Sequence, residues 1–537
     1  MTGQETKYIF VTGGVISSLG KGIVAASLGK LLQARGYRVG IQKFDPYINV
    51  DPGTLNPYEH GECYVTNDGH ESDLDLGHYE RFLNVPTSRA NNITTGRIYQ
   101  NVIYKERKGE YLGKTIQVIP HITDEIKRNV KLLGQKDQLD FVITEIGGVV
   151  GDIESLPFLE AVRQLKWELK NRCIVVHLTY VPFIKAAGEF KTKPTQHSVK
   201  QLQEAGVQPD ILTLRTEQRL DSDICAKVAR FCNVAEDAVI QSIDAPTIYE
   251  IPLHLQEQNM DEIVLKMVGI EPGPKPAMEA WCSFIDKMKK AKEVVRIALV
   301  GKYVELPDAY KSIDEALIQA CVYNDRKLKM TSIQSENINE ANVATLLEGY
   351  DGVIIAPGFG ERGVEGKITA LQYTRTKNIP TLGICLGMQC MAIEFARNVL
   401  HLKDANTAEI APNTENKVID LMEEQKTVSN YGGTMRLGSY RCNLKPNSKI
   451  AEAYGATSIE ERHRHRYEFN SIYKKRFEEK GFFCVGENPD TYLVEALELK
   501  NHPFYIGVQF HPEYKSTIVN PSPIFMAFVK ALLENKK

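Results

Sequence analysis

The sequence predicts an α/β fold with two domains, each a mainly parallel sheet flanked by helices. Three features carry that prediction: a length of 537 residues, alternation of short apolar runs with longer amphipathic segments in both halves, and a proline-rich break between them. At roughly 100–200 residues per domain, this length exceeds what one hydrophobic core organises. Apolar runs separated by helical patterns imply strands joined by crossover helices, and therefore parallel sheets covered on both faces.

In the first half, Ile9 to Thr12, Arg38 to Gln42, Phe141 to Thr144 and Ile174 to Leu178 read as strands. The break is Glu271-Pro272-Gly273-Pro274-Lys275-Pro276, where three prolines in six residues neither continue a helix nor sit in a central strand. A first domain over 1–270, a linker over 271–293 with a polar helix from Ala277 to Lys292, and a second domain over 294–537 follow from it. Val294 to Gly301 opens the second domain as a buried strand, and Gly352 to Ala356, Thr381 to Ile384 and Tyr505 to Val508 continue the pattern.

Composition narrows the function classes. Hydrophobic residues are 43% and charged residues 25%, which excludes disordered and fibrous readings. With 65 Lys+Arg against 68 Asp+Glu the formal charge is -3, so no net positive field draws nucleic acid, and no nucleic-acid partner is expected. The ten cysteines contain no CxxC pair and read mostly as small buried hydrophobes. No run approaches the ~18 apolar residues of a membrane span, and the N-terminus lacks secretory-signal features, so a cytoplasmic location is expected.

After the first strand comes Gly13-Gly14-Val15-Ile16-Ser17-Ser18-Leu19-Gly20-Lys21-Gly22, followed by a helical pattern from Ile23. Strand, glycine-rich turn and helix form the context of a phosphate-binding loop, in which backbone N–H groups face the anion and a lysine neutralises the terminal phosphates. Two departures stand out: five residues separate Gly14 from Gly20, and Gly22 replaces the hydroxyl residue that normally helps hold magnesium. The metal must then find oxygen ligands elsewhere. Glu145, ending an apolar strand, and the alternating acids Glu71, Asp73 and Asp75 are the candidates. Lys191-Thr192-Lys193-Pro194-Thr195-Gln196 clusters cations and hydroxyls around a proline turn suited to an anion, and Gly147 to Glu154 follows the acidic strand.

In the second half, Gly383-Ile384-Cys385-Leu386-Gly387 is the thiol counterpart of a GxSxG nucleophile elbow. A helix N-terminus beside the sulfur favours the thiolate, although a base is still needed. Gly507-Val508-Gln509-Phe510-His511-Pro512-Glu513 supplies one, and on an extended backbone Glu513 lies on the same side as His511 and can orient it. Backbone N–H groups of Ala356-Pro357-Gly358-Phe359-Gly360 and of Leu386 are candidates for an oxyanion hole. Glu409 and His463-Arg464-His465-Arg466 read as solvated surface, except that Arg466 could pair with a substrate carboxylate. A thiol triad with a nucleotide site suggests that glutamine hydrolysis supplies ammonia to a phosphorylated acceptor. Ammonia is largely protonated in neutral water, which favours a sheltered route.

The strings GICLGMQ and FHPE resemble class I glutamine amidotransferases. Along the whole chain GGVISSLGKG, KFDPYINVDPGT, HGE, DLDLGHYERF, GGVVGDIESLPF, KTKPTQHSV, GGTMRLG and RHRHRYE resemble the CTP synthase family, in that family's order. The resemblance implies a phosphate-loop, Rossmann-like synthetase domain fused to a class I glutaminase domain, acting in pyrimidine biosynthesis. ATP would phosphorylate the 4-oxygen of UTP, ammonia from glutamine would displace the phosphate to give CTP, GTP would activate, and CTP would inhibit. Magnesium, a homotetramer and no membrane partner are likewise implied.

Carried over by motif, Ser18, Leu19, Gly20, Lys21, Gly22 and Ile23 would hold ATP, with Lys43 and Asp75 at its phosphates and metal. Ile243, Asp244 and Ala245 would touch adenine, and Asp75 and Glu145 would bind magnesium. Ser17, Asp152, Ile153 and Glu154 would meet UTP or CTP, together with Lys191, Thr192, Lys193, Pro194, Thr195, Gln196 and Lys227. Gly358, Leu386, Gly387, Met388, Gln389, Glu409 and Arg466 would hold glutamine around the catalytic Cys385, His511 and Glu513, and His60 would lie near the ammonia passage. One departure remains: where the family usually reads PGGFG this chain reads APGFG, and Pro357 has no N–H, so the second oxyanion donor is Gly358 or Phe359. The competing readings are an ATP-dependent amidotransferase acting on a cofactor-precursor carboxylate and a catalytically silent nucleotide-dependent scaffold.

Overall fold

The computed structural model describes residues 5–422 and 433–536. Gly432, which opens the GGTMRLG string, lies outside the described residues. The chain forms two compact units, one of residues 1–51 and 78–279, the other of 52–77 and 280–537. Mixed α/β structure runs through both. Among the described residues, no helix is long and apolar enough to cross a membrane.

The first unit is built on seven parallel strands: β1 (Lys7–Gly13), β2 (Val39–Asp45), β3 (Asn92–Thr94), β4 (Phe141–Ile146), β5 (Cys173–Tyr180), β6 (Ile211–Thr216) and β7 (Val239–Ile243). Their order is β7-β6-β5-β1-β4-β2-β3, with every pairing parallel. The central strands read as near-continuous apolar runs because helices cover both faces. Ile9, Phe10 and Val11 of β1 are fully buried, each burial stabilising the fold by roughly 1.5–3 kcal/mol. β1 sits between β5 and β4, which gathers the loops at their carboxyl ends into a crevice of the kind where ligands bind in open α/β sheets.

The second unit contains a nine-stranded sheet: β8 (Val294–Gly301), β9 (Lys327–Gln334), β10 (Gly352–Ile355), β11 (Thr381–Ile384), β12 (Arg436–Leu444), β13 (Ser458–His465), β14 (Phe482–Glu487), β15 (Val494–Leu499) and β16 (Tyr505–Val508). The order is β9-β8-β10-β11-β16-β15-β14-β12-β13. From β9 to β16 the pairings are parallel; beyond β16 they are antiparallel. Alternate residues of β8 serve opposite cores, Val295, Ile297 and Leu299 on one face, Ala298 and Val300 on the other. This is the period-2 signature of a sheet covered on both sides.

In the parallel half, β8, β10, β11 and β16 match the strands expected from sequence, while the edge strand β9 was not anticipated. The antiparallel half was not anticipated; its edge strand β13 reads SIEERHRH and shows no apolar run. The expected helix after the proline break forms over Glu279–Lys290, burying Trp281, Phe284 and Ile285. Segment 52–77 belongs with the second unit, although a single cut at the proline run would assign it to the first half. Its attachment is polar and buried. Arg462 donates to the Tyr64 hydroxyl at 2.8 Å and the Val65 carbonyl at 3.0 Å, the Ser312 N–H donates to Glu62 at 3.0 Å, and the Tyr58 hydroxyl donates to the Lys302 carbonyl at 2.8 Å.

Candidate functional site

In the second unit the loops after β10, β11 and β16 place three chemistry-bearing segments at one end of the sheet. Cys385 follows β11 directly and caps the helix Leu386–Asn398 with φ 53° and ψ −106°, a left-handed backbone that costs a non-glycine residue on the order of 1–3 kcal/mol. The turn closes because its flanks lack side chains. A Cβ on Gly383 would lie 2.8 Å from the Gly387 carbonyl carbon, and one on Gly387 would lie 2.3 Å from the Ile355 oxygen.

The buried Cys385 thiol faces the Arg464 carbonyl at 3.7 Å, and Gln509 Nε2 donates to its sulfur at 3.6 Å. His511 Nδ1 is 2.7 Å from Glu513 Oε1, and its ring stacks on Tyr514 with centroids 5.0 Å apart. The sequence placed His511 and Glu513 on one extended strand. Instead β16 ends at Val508 and Glu513 returns to His511 through a 3-10 turn over Pro512–Lys515. The expected partnership forms by a different backbone route.

Electrostatics favour a charged imidazole here. Burial pulls the His511 pKa down, but the charge of Glu513 and then the interaction with Cys385 raise it to about 10. A folded-state pKa above the ordinary 6.5 contributes stability that is fully present below about pH 6.5 and is lost as the pH rises through about 10. Replacing Glu513→Gln should therefore lower Tm most below pH 6.5, with the difference from the native chain shrinking towards pH 10. Melting curves across that range check this, and a pH-independent difference would refute the pairing.

These groups line a cavity of 740 Å³ with Gly358, Glu409 and Arg466. Arg466 donates to the Thr434 hydroxyl at 2.8 Å. Other glutamine candidates face inward: Met388 is fully buried, and Gln389 donates to the Tyr467 carbonyl at 2.9 Å. His60 ends the short helix Pro57–His60.

The loop after β10 is held by two lysines that the sequence reading did not single out. Lys367 Nζ donates to the Ala356 carbonyl at 2.6 Å, while Lys302 Nζ donates to the Phe359 carbonyl and, at 2.7 Å, to that of Gly360. Burial lowers both to about 8. The Gly360 N–H is taken by Glu409 at 2.7 Å. Among the described residues, the N–H groups of Gly358 and Phe359 have no hydrogen-bond partner.

The His463–Arg466 cluster is not solvated surface. His463 and His465 are buried with ring nitrogens 2.9 Å apart, because β13 turns alternate residues to opposite faces. Arg464 donates to Glu71 at 2.9 Å and to the Gly53 carbonyl at 3.0 Å. Glu71, one of the candidate metal acids, is thus engaged by an arginine. No local motif announced this pairing, since its partners are 393 positions apart.

In the first unit, Gly14 to Gly20 joins β1 to the helix Lys21–Ala34. Gly20 caps it at φ 93°; a Cβ there would meet nothing within 4 Å, so glycine is required for its backbone alone. Val15 also holds a positive φ, 82°, a strained state for a β-branched residue. Lys21 Nζ donates to the Gly148 carbonyl at 2.7 Å. Ser18, Leu19, Gly20 and Ile23 share a cavity of 150 Å³ with Ala245; Ile243 ends β7 and Asp244 pairs with Arg215 at 2.5 Å.

Lys43 and Glu145 are register neighbours on β2 and β4, both buried, and the Tyr79 hydroxyl donates to Glu145. Asp75, which falls in the second unit, opens the helix Asp75–Leu83, its N–H donating to Asp73 at 3.0 Å. Carboxylate oxygens suit magnesium. Among the described residues no group of three or more His, Cys, Asp or Glu is arranged to hold a metal.

Asp152, Ile153 and Glu154 are exposed at the start of a helix, with Asp152 accepting the Val149 N–H at 2.8 Å. Lys193 opens the helix Lys193–Glu204, with Pro194 in its first turn; Gln196 donates to the Thr192 hydroxyl at 3.2 Å. Lys191 and Lys227 are exposed; the hydrogen bond and charge of Lys191, and then the charge of Lys227, hold the Glu189 pKa below its usual value. Thr195 Oγ1 is 2.5 Å from Thr179 Oγ1.

Comparison with known proteins accounts for both units. Residues 7–270 match the family described as CTP synthase N-terminus, and residues 305–531 match glutamine amidotransferase class-I. The chain is similar to the CTP synthase of Porphyromonas gingivalis, 71% identical over 533 residues, of Bacteroides fragilis, 66% identical over 530 residues, and of Flavobacterium psychrophilum, 61% identical over 534 residues. In each case the match covers 99% of this chain and 99% of the relative. Matched over nearly its whole length and carrying both modules in order, the chain belongs to the CTP synthase family.

Proposed function

We propose that this protein aminates UTP to CTP with ATP and glutamine, using ammonia released at Cys385 in the second unit. The arrangement of Cys385, His511 and Glu513 carries the reading. Glu513 fixes the imidazole at 2.7 Å and supports its protonated form, and Cys385 is the attacking nucleophile. His511 then returns its proton to the departing ammonia, and water releases glutamate from the thioester. The N–H groups of Leu386 and of Gly358 or Phe359 receive the oxyanion, and Arg466 pairs with the substrate carboxylate.

In the first unit, Ser18 to Ile23 and Lys43 hold ATP, and Ser17, Asp152 to Glu154, Lys191 to Gln196 and Lys227 hold UTP or the inhibitory product CTP. Asp75 and Glu145 are the carboxylates assigned to magnesium, which supplies neutralising charge at the phosphates when bound. GTP activation, a homotetramer and a cytoplasmic location complete the proposal, on the strength of the family. Incubation with ATP, UTP and glutamine should raise absorbance in the cytosine band. No CTP, with turnover of a carboxylate acceptor instead, would favour a cofactor-precursor amidotransferase, and no turnover of either would favour a silent scaffold.

A further inference from the structure

His177, on β5, was not among the candidate residues, yet it lies between two segments assigned above to different nucleotides. It is fully buried and pairs in register with Thr12 at the end of β1. Its Nδ1 is 2.9 Å from the Thr12 hydroxyl, and its Nε2 is 2.8 Å from the Ser198 hydroxyl. Thr12 leads into the phosphate loop. Ser198 belongs to the helix Lys193–Glu204, whose first turn carries the KTKPTQ segment.

Burial first, and then the nearby charge of Lys21, lower the His177 pKa to about 3. The ring is therefore neutral at physiological pH, with one donor and one acceptor nitrogen, and each nitrogen meets a hydroxyl able to play either part. The contact around it is close. A Cβ on Gly14 would lie 1.5 Å from Ser198 Oγ, and the Gly14 N–H donates to Leu178 of β5 at 3.0 Å. Two residues along β5, Thr179 meets Thr195 of the same helix at 2.5 Å. A buried polar side chain satisfied at both ends by groups from separate loops fixes their mutual position, because breaking either bond leaves a desolvated group unpaired.

We propose that His177 is a positioning residue that fastens the ATP loop and the UTP loop of the first unit into one hydrogen-bonded assembly. The inference rests on the nucleotide assignments of the preceding section. It makes a prediction that a merely structural histidine does not, since its two nitrogens serve different substrates. An asparagine reaches about as far as Nδ1 and keeps the Thr12 side; a glutamine reaches about as far as Nε2 and keeps the Ser198 side.

The test uses the full-length protein with ammonia as nitrogen donor, so that the thiol site is not needed. His177→Asn should raise KM for UTP about tenfold and leave KM for ATP within about twofold, while His177→Gln should do the reverse. Ser198→Ala and Thr12→Val should reproduce the two patterns respectively, which guards against a buried replacement that fails to fold. Equal effects on both substrates in all four variants, or none, would overturn the proposal. Lys191→Ala separates the two levels. An unchanged KM for UTP there overturns the site assignment and this inference with it. A raised KM for UTP, with the His177 variants indistinguishable from each other, overturns the positioning role alone.

Discussion

Cys385→Ala should reduce glutamine-dependent CTP formation by at least about 10⁴-fold and leave ammonia-dependent formation within about twofold of the native chain. The split follows from where the residue stands. Cys385 belongs to the second unit, and no group assigned to UTP or ATP touches its sulfur, whose neighbours are the Arg464 carbonyl and Gln509. Removing Sγ deletes the nucleophile without changing the turn, because alanine occupies no more space than cysteine in the strained elbow. Rates with each nitrogen donor, read in the cytosine band, decide the matter. If glutamine-dependent synthesis survives the substitution, the triad assignment is wrong; if both activities fall together, the thiol has a structural part beyond hydrolysis.

Lys21→Met should lower synthesis by about 10³-fold with glutamine and with ammonia alike. Lys21 is the first residue of the helix that follows the glycine-rich loop, so its charge adds to the helix N-terminus where polyphosphate would collect. Methionine keeps the length and apolar stem of the side chain but removes the charge and the bond to the Gly148 carbonyl. Hydrolysis of glutamine without nucleotides should persist in this variant. An ammonia-dependent rate within threefold of the native value would show that the loop is a plain strand-to-helix turn. Together the two substitutions separate the halves of the reaction: one stops only the supply of ammonia, the other stops its use.

Much of this was legible locally. The elbow around Cys385, the glycine-rich loop after β1 and the parallel strands each lie within about a dozen consecutive residues, where backbone requirements leave their mark on residue type. Gly383 and Gly387 are small because backbone crowds them, and Gly20 is glycine because its φ is 93°. Such constraints act between near neighbours, so the chain displays them. Lys302 and Lys367 left no such mark, since a buried lysine is chosen by carbonyls over 50 and 11 residues away. Arg464 and His463 looked like ordinary charges until β13 turned them to opposite faces.

By itself the sequence determined the α/β class and the order of the two modules, because these follow from local periodicity and from long motif strings. The tertiary structure alone decided three further things: that 52–77 joins the second unit, that Glu71 serves Arg464, and that His177 lies between Thr12 and Ser198. Their common cause is pairing between buried polar groups far apart in the chain. Desolvation makes an unpaired partner costly and so selects the contact, but neither residue carries a local sign of the other.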